Sequence, residues 1–318
     1  MIYQGKYVIP IAGDPSRNGQ VLVRNGQICG VGVDLDKLHT GEDICDLSNC
    51  ALLPGFVNAH SHIDYTLSQN TCDGLNLWDW LDNVAFGKGR VPDYGQLVQS
   101  ATLGAAKCAS SGITCVGDSS FSGAAADGLG AVGLRGIVYR ELFGQSMGNE
   151  YREKFSKFTE DVRLKQSEFS GLIKVGISPH TIYTSNREVL ELCANANVEL
   201  GIPIALHLAE TWAEAEYSIS GTGPLADWRC KRGYRPMTSG LSPTRYLGEV
   251  GLLRRGVCLA HCVHIDEEEA ELIAKSGASV AHCPRSNAFL GAGIAPLTSF
   301  IKNEIPVGLG TDSLASCK

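Results

Sequence analysis

Two histidines one residue apart are the first sign of chemistry in this chain. A short apolar run ends in the segment 54–62, Pro-Gly-Phe-Val-Asn-Ala-His-Ser-His, which contains His60 and His62. Alternate side chains of a β-strand lie on one face, so this spacing turns both imidazoles to the same side. Two such imidazoles at a strand end are suited to bind a metal ion. Two hydrogen-bonded polar residues at a strand terminus would give the same pattern, and this pair alone does not separate the two interpretations.

Polar residues follow later apolar runs in the same way. Seven of the eight histidines, all but His39, lie in the first pair or at these later points. A site of three histidines and an aspartate suits zinc or ferrous iron. Such an ion lowers the pKa of water to about 7 and so supplies hydroxide for hydrolysis at neutral pH. The later segments are Ser178-Pro-His180, His207-Leu-Ala-Glu210, His261 with His264, His282-Cys-Pro-Arg285-Ser-Asn287 and Thr311-Asp312.

The elements that must position these residues are alternating strands and helices, an α/β pattern. Helical patterns lie between most of the strands, for example at 94–111, 187–196 and 267–275. Eight such units predict a (β/α)₈ TIM barrel, whose active site lies at the carboxyl ends of its parallel strands. An open doubly wound sheet is the alternative, although no Gly-x-Gly-x-x-Gly motif opens a helix. The predicted strands are 55–59, 114–117, 136–139, 173–177, 202–206, 256–260, 278–281 and 306–310.

The first part of the chain has a different pattern. Asn25-Gly26 lies between two apolar runs, which is typical of a type I′ hairpin turn. We predict a small β-rich domain at 1–52, half of a β-sandwich, and a barrel domain at 53–318. The sequence ends six residues after Asp312. We therefore expect a C-terminally truncated chain that lacks the last barrel helix and the strands that would complete the sandwich.

Composition narrows the class of protein. The 318 residues carry a net charge of −7 and a pI of about 5.6, so no overall basic surface favours nucleic acid. No run of about 18 apolar residues predicts a membrane helix, and the first residues lack the layout of a signal peptide. Twelve cysteines without a Cys-x-x-Cys pair are typical of a reduced, cytoplasmic protein. The predicted partner is a small heterocyclic molecule, neither nucleic acid nor a membrane, with homo-oligomerisation left open.

Four motifs together resemble the amidohydrolase superfamily. They are Pro54–His62, His207-x-x-Glu210, His261 and Gly310-Thr-Asp312, and they occur in the order of the barrel strands. Within the superfamily, the sequence resembles the branch that contains cytosine and guanine deaminases, 5′-methylthioadenosine/S-adenosylhomocysteine deaminases and triazine chlorohydrolases. The resemblance covers nearly the whole chain, and it implies a barrel of the metal-dependent hydrolase type.

The resemblance implies a metal site made of His60, His62, His207 and Asp312. Binuclear relatives place a carboxylated lysine at the end of the fourth strand. Here that end carries His180, and the nearby Lys174 lies at the beginning of the strand. One divalent ion is therefore expected, with zinc (Zn²⁺) preferred and ferrous iron (Fe²⁺) as the alternative.

The resemblance also implies catalytic roles. Glu210 matches the acid/base of the deaminases, which protonates a ring nitrogen while hydroxide attacks the carbon that bears the amine. Asp312 would accept the proton of the attacking water, and His261 would polarise or orient the attacked group. A solvated carboxylate at the start of a helix is the alternative for Glu210. For His264 and His282, support of neighbouring residues or helix capping is the competing role.

Four residues are candidates for substrate binding. Trp80 lies in the segment Leu-Trp-Asp-Trp-Leu and would stack on a flat heterocycle or belong to a helix core. His180 matches a position that faces the sugar or ring in nucleoside deaminases. Arg285 and Asn287 lie in a tract that resembles 6-aminodeoxyfutalosine deaminases, whose substrate carries a benzoate. Arg285 would bind such a carboxylate or pair with an acid of the barrel wall.

The predicted function is hydrolytic release of ammonia from an aminated heteroaromatic ring. Adenine nucleosides such as methylthioadenosine, S-adenosylhomocysteine and aminodeoxyfutalosine are the best candidates. Hydrolytic dechlorination or opening of a cyclic amide on the same site is the alternative, because these reactions share the metal and the hydroxide and differ in the bond broken. An inactive truncated barrel is a third interpretation.

Overall fold

The chain folds into two units, which a computed structural model describes over residues 1–70, 74–75, 77–84, 92–169 and 171–317. The first unit is Met1–Phe56 and the second is Val57–Lys318. No helix in the described ranges is both long and apolar enough to cross a membrane.

The N-terminal unit contains one five-stranded sheet. Its elements are β1 (Ile2–Val8), β2 (Ser16–Arg17), β3 (Gln20–Arg24), β4 (Gln27–Gly32), the short helix α1 (Leu35–Leu38) and β5 (Ile44–Leu52). The strand order is β2-β1-β3-β4, and β5 pairs with β1 in parallel. Asn25 and Gly26 join β3 to the antiparallel β4 with φ values of 51° and 73°. These left-handed values are those of a type I′ turn, so the predicted hairpin is confirmed.

Eight parallel strands form the sheet of the second unit. They are β6 (Phe56–Ser61), β7 (Ile113–Ser120), β8 (Arg135–Glu141), β9 (Ile173–Ser178), β10 (Ile204–Leu208), β11 (Val257–His261), β12 (Ser279–His282) and β13 (Val307–Leu309). Their order in the sheet follows the chain without a crossover. Each overlaps one of the eight strands predicted from the sequence. The open doubly wound alternative is wrong, because consecutive strands are neighbours throughout.

The sheet closes where its first and last strands meet. Ser61, the last residue of β6, forms an isolated parallel bridge with Asp312. The backbone N–H of Asp312 donates to the carbonyl oxygen of His60 at 3.0 Å. Two candidate metal ligands therefore belong to the backbone contacts that complete the barrel, and the predicted (β/α)₈ architecture is confirmed.

Helices follow most of the strands and cover the outside of the sheet. The helix α3 (Tyr94–Ser110) begins with a reciprocal cap, in which the Asp93 carboxylate accepts from the N–H of Gln96 at 2.9 Å and the Gln96 side chain accepts from the N–H of Asp93 at 3.1 Å. This cap satisfies backbone donors that no helical carbonyl can reach. The helices are α2 (Leu77–Val84), α3 (Tyr94–Ser110), α4 (Ala124–Val132), α5 (Tyr151–Ser167), α6 (Arg187–Leu200), α7 (Trp212–Ser220), α8 (Gly223–Cys230), α9 (Pro243–Glu249), α10 (Glu267–Ser276), α11 (Pro284–Phe289) and α12 (Leu297–Lys302), with short 3₁₀ helices at Ile63–Ser68 and Gly144–Glu150.

The main core lies between the strands and these helices. Every residue of β10 is buried, and the apolar side chains Ile204, Leu206 and Leu208 pack in one cluster with Leu259 of β11. A parallel strand covered on both sides needs apolar residues on both faces, which explains the unbroken apolar runs of the sequence. A packed core of this kind holds the strand ends at fixed positions relative to one another.

Candidate active site

Three histidines lie at the carboxyl ends of two barrel strands. His60 is within β6, His62 follows β6 directly, and His207 belongs to β10. All three side chains are buried. The ring centroid of His60 is 4.9 Å from that of His62 and 4.9 Å from that of His207. The His-x-His spacing therefore brings two imidazoles to one place, beside a third from another strand.

The nitrogen atoms of these histidines converge on the carboxylate of Asp312. Nε2 of His62 is 3.2 Å from Nε2 of His207 and 3.6 Å from Oδ1 of Asp312. Nε2 of His60 is 3.8 Å from the same oxygen and has no hydrogen-bond partner among the described residues. Ligand atoms around tetrahedral zinc lie about 3.3–3.4 Å apart, as its bond lengths of about 2.0–2.1 Å require. The four side chains thus lie close enough together to bind a divalent metal ion.

The protonation of these groups also fits a metal site. Burial lowers the pKa of His60, His62 and His207, so each imidazole is neutral and keeps a lone pair. Nδ1 of His207 lies 3.1 Å from the carbonyl oxygen of His180 and can donate to it, which leaves Nε2 free to bind an ion. Burial alone would raise the pKa of Asp312, but His62 and His261 outweigh it and hold that pKa well below its usual range.

The local sequence around Asp312 fixes its carboxylate. Oδ1 accepts from the backbone N–H of Ser313 at 2.7 Å, and Oδ2 accepts from the hydroxyl of Ser286. A Cβ at Gly310 would lie 2.7 Å from Sγ of Cys283 and 2.9 Å from Cβ of His60. These distances are too short for any side chain, so the glycine of Gly-Thr-Asp permits the close approach of the last strand to the first.

Glu210 and His261 lie beside this group. Glu210 precedes α7 and is buried, and burial raises the pKa of its carboxyl group, so this group can hold a proton. Its Oε1 is 3.9 Å from Nδ1 of His261, the last residue of β11. The same Nδ1 lies 2.8 Å from Oδ1 of Asn287, close enough to donate a hydrogen bond. Asn287 is thereby placed behind His261, where it can fix the orientation of the imidazole ring.

Three site residues adopt a backbone conformation that is uncommon outside glycine. The φ angle is 54° at His180, 71° at His261 and 59° at Asp312. A non-glycine residue in this left-handed region costs about 1–3 kcal/mol, and such residues cluster at functional sites. All three follow or end a barrel strand, so this strained backbone lies at the rim where the polar side chains meet.

One cavity is lined by most of the candidate metal-binding and catalytic side chains. His62, His207, Glu210, His261 and Asp312 all line it. Much of the remaining wall is aromatic, contributed by Tyr65, Trp80, Phe143, Tyr183, Trp228 and Tyr234. An apolar cavity with a few converging polar groups is the usual form of a small-molecule site.

The predicted substrate residues have different positions. Trp80 lines the cavity, and its indole N–H donates to the carbonyl oxygen of Ala315 at 2.8 Å. His180 also lines the cavity, with its ring 4.7 Å from that of Phe143. Arg285 is exposed and is not among the lining residues. It lies in the first turn of α11, and Asn287, two residues later, falls on the buried face of that helix because successive residues are about 100° apart.

His264 and His282 lie outside the lining of the cavity. Nε2 of His264 is 2.8 Å from the carbonyl oxygen of Ala292, which it can reach as a donor. His282 is the last residue of β12 and is buried. Neither side chain approaches the converging group in the way that His261 does.

Sequence reasoning missed two buried groups at the same rim. Glu141 ends β8 and lines the cavity, with its Oε1 4.0 Å from Nδ1 of His62. Burial and nearby acids raise the pKa of Glu141 well above its usual value, so the carboxyl is neutral and can donate a proton in a hydrogen bond. Arg229 of α8 also lines the cavity and is buried. The position of Glu141 after an apolar strand was the available signal, whereas Arg229 lies in a polar helix that offers none.

A family model described as the amidohydrolase family matches residues 51–318. The chain belongs to the amidohydrolase family. The resemblance stated from the four motifs is thus confirmed, and each of those motifs contributes a residue to the converging group or its surroundings.

Two named members of the amidohydrolase family illustrate the similarity. A 5-methylthioadenosine/S-adenosylhomocysteine deaminase of Symbiobacterium thermophilum is 31% identical over 99% of this chain and 70% of its own length. An enzyme of the same name from Nitratidesulfovibrio vulgaris is 33% identical over 94% of this chain and 64% of its own length. The chain therefore spans about two thirds of the length of these relatives.

A solved structure is also similar to this chain. The adenosine deaminase of Xanthomonas campestris with bound zinc has a TM-score of 0.83 and 26% sequence identity. The match covers 99% of this chain and 69% of that one. The described barrel thus shares its fold with that zinc-bound adenosine deaminase.

Proposed function

We propose that this chain is a metal-dependent hydrolytic deaminase that releases ammonia from an adenosine-type nucleoside. The observation that carries the proposal is the position of His261, whose ring centroid is 5.5 Å from that of His207 and whose Nδ1 is 3.9 Å from Oε1 of Glu210, in one aromatic cavity. The names of the relatives, which are deaminases of methylthioadenosine, S-adenosylhomocysteine and 5′-deoxyadenosine, support the same reaction class.

One divalent ion would be held by His60, His62, His207 and Asp312, and zinc is the ion we propose. When bound there, the ion lowers the pKa of water to about 7 and so supplies hydroxide at neutral pH. The neutral imidazoles and the ionised carboxylate are the forms that bind such an ion. Support for a single ion comes from the fourth strand, since its Lys174 is exposed and His180 occupies the loop at its carboxyl end.

Proton transfer would fall to the side chains around the ion. The pKa of Asp312 is held well below its usual range, so its carboxylate is ionised and would accept the proton that the attacking water loses as it bonds to the ring carbon. Glu210, whose pKa is raised by burial, can hold a proton, give it to the ring nitrogen and help ammonia leave. His261 would orient the attacked carbon, and Asn287 would fix the ring of His261 through their 2.8 Å contact.

The walls of the cavity fit a flat heterocycle joined to a sugar. Aromatic side chains such as Trp80 and Phe143 present planar faces on which a purine can stack. His180 would contact the sugar or the ring edge, and burial lowers its pKa to about 3, so it is neutral. We propose a cytoplasmic location as well, for which the free state of the described cysteines is the support.

The test is a screen for ammonia release by zinc-reconstituted protein. The panel contains 5′-methylthioadenosine, S-adenosylhomocysteine, 5′-deoxyadenosine and adenosine, with guanine, cytosine and a chlorotriazine as competing classes. We expect ammonia from the adenosine nucleosides, with the corresponding inosine product. A Glu210→Gln preparation purified in parallel measures any contaminating deaminase. Chloride release without ammonia, or turnover confined to guanine or cytosine, would overturn the proposal.

A further inference from the structure

Glu214 is a buried carboxyl group next to the candidate acid/base. It lies in the first turn of α7 and is 1% exposed. Its Oε2 accepts from the backbone N–H of Glu210 at 3.0 Å. Its Oε1 is buried and has no hydrogen-bond partner among the described residues. A buried carboxyl group with one unpaired oxygen costs free energy that an apolar side chain would avoid. The stability of the fold alone therefore does not explain an acid at this position.

The hydrogen bond from Glu210 departs from the usual cap of a helix. In a capping box, the third residue of the helix accepts from the N–H of the N-cap residue. α10 follows this rule, since the Glu269 carboxylate accepts from the N–H of Asp266 at 3.0 Å. Glu214 is likewise the third residue of α7, but it accepts from Glu210, one residue before the N-cap Thr211. Glu214 thus holds the segment that carries Glu210 and not the end of its own helix.

The turn before Glu210 is held from a second side. Ala209 joins β10 to Glu210 and has a φ angle of 50°, which lies in the left-handed region. Its carbonyl oxygen accepts from the backbone N–H groups of Val263 at 3.0 Å and His264 at 2.9 Å, in the loop that follows His261. A non-glycine residue persists in this conformation only where its surroundings fix it. The direction of the Glu210 side chain therefore depends on contacts to both sides of the turn.

We propose that Glu214 is a positioning residue, whose carboxyl group fixes the turn that aims the side chain of Glu210 into the cavity. The inference rests on the proposed deaminase function, in which Glu210 transfers the proton. Glu214 is not among the described residues that line the cavity, whereas Glu210 is. Glu214 acts through its hydrogen bond to the backbone and not through contact with the substrate. Loss of that bond should thus lower the rate of the chemical step without changing substrate binding.

The protonation state of Glu214 determines the choice of variants. Burial raises the pKa of Glu214 to about 8, so its carboxyl group is mostly neutral at pH 7. Glutamine copies the shape of a neutral carboxyl group, and its carbonyl oxygen can accept the same N–H. Methionine has a similar length but provides no comparable acceptor. Glu214→Gln and Glu214→Met therefore differ mainly in the hydrogen bond to Glu210.

Steady-state ammonia release from 5′-methylthioadenosine by zinc-loaded protein is the first test. Glu214→Met leaves the buried N–H of Glu210 without its acceptor, and we expect kcat to fall roughly 5- to 150-fold, the rate equivalent of that loss. KM should stay near the wild-type value, and Glu214→Gln should recover most of kcat. A folded Glu214→Met protein with normal kcat overturns the proposal. A glutamine variant as slow as the methionine variant, or a rise in KM without a fall in kcat, also overturns it.

Glu269→Met is the matched control. Glu269 is also the third residue of its helix, is 4% exposed and accepts from a backbone N–H at 3.0 Å. This variant should lower the melting temperature by an amount similar to that of Glu214→Met and keep the wild-type kcat. A fall in kcat equal to that of Glu214→Met would show general destabilisation and overturn the positioning role. If Glu214→Met does not fold, Glu214→Leu takes its place, and a slow but folded Glu214→Gln protein overturns the proposal without either.

Crystal structures of the variants separate this proposal from the proposed reaction. In the wild-type protein, Oε1 of Glu210 is 3.9 Å from Nδ1 of His261. We expect the Glu210 carboxyl group to leave this position in Glu214→Met and to keep it in Glu214→Gln. If no nucleoside is deaminated and this displacement occurs, the positioning role stands and the reaction fails. An unchanged Glu210 in Glu214→Met means that the positioning role fails, whatever the turnover shows.

Discussion

The sequence places Asn287 among the substrate-binding candidates, whereas its contact with His261 predicts that it positions the His261 ring. Asn287 is buried, and its Oδ1 lies 2.8 Å from Nδ1 of His261. Asn287→Leu keeps the approximate size of the side chain and removes the acceptor. The Nδ1 atom of His261 then keeps Glu210 as its nearest acid, at 3.9 Å, which is beyond hydrogen-bond length. We expect the imidazole to lose its fixed orientation.

The magnitude follows from the charge on His261. Burial lowers the pKa of His261, but Glu210, Asp312 and the contact with Asn287 outweigh it, so that the pKa lies above its usual value and the protonated form of the ring is stabilised. A hydrogen bond to a charged group contributes about 1.5–3 kcal/mol. Since about 1.36 kcal/mol corresponds to a tenfold change in rate, kcat should fall about 10- to 150-fold.

Steady-state ammonia release by zinc-loaded protein checks this expectation. We expect kcat to fall while KM stays close to the wild-type value, because Asn287 acts through His261 and not on the substrate. Asn287→Asp keeps an acceptor oxygen and should recover part of the loss. Asn303→Ala is the control, since Asn303 donates to the carbonyl oxygen of Ser299 at 3.0 Å in α12, away from the cavity lining. A raised KM with unchanged kcat would refute the reasoning and restore Asn287 as a substrate contact.

Three further predictions concern the ion, the acid and the exposed arginine. Metal analysis should give one zinc ion per chain, and about two ions per chain at full occupancy would contradict the single site. Removal of the ion by a chelator should lower the melting temperature and abolish ammonia release. Glu210→Gln should lower kcat roughly 10²- to 10⁴-fold with the metal retained, and near-normal turnover would exclude Glu210 from proton transfer. Arg285→Met should leave kcat/KM near the wild-type value for carboxylate and neutral nucleosides alike, because Arg285 is exposed and does not line the cavity. A raised KM for the carboxylate alone would show that Arg285 binds it.

The sequence predicted the barrel and the residues at its rim because both depend on the burial of parallel strands on two faces. Parallel strands covered on both sides need unbroken apolar runs, and a polar residue such as His60 or His207 that ends such a run must lie at the edge of the sheet. The position of Asp312 follows from the same rule. The boundaries of the strands differ by a few residues, since hydrogen bonding and not hydropathy decides where a strand ends.

The sequence could not predict which side chains of the short helices are buried. Arg229, Arg285 and Asn287 are examples. Each lies on a short helix, where the direction of a side chain depends on how that helix packs against the barrel. Sequence patterns favoured Arg285 because it stands next to a recognisable motif, but its side of α11 faces solvent. Arg229 lies among charged and polar neighbours in α8, and only the packed structure shows that it is buried against Tyr217 and Tyr234.

The seam between β6 and β13 has a consequence for the order in which the protein is made. His60 and Asp312 meet at that seam, although they lie 252 positions apart in the sequence. Because synthesis proceeds from the N-terminus, the histidines of the first strand leave the ribosome long before their carboxylate partner exists. A bound ion would then link ligands from the first and last strands of the barrel. The complete set of four ligands would form only after the last strand has paired with the first.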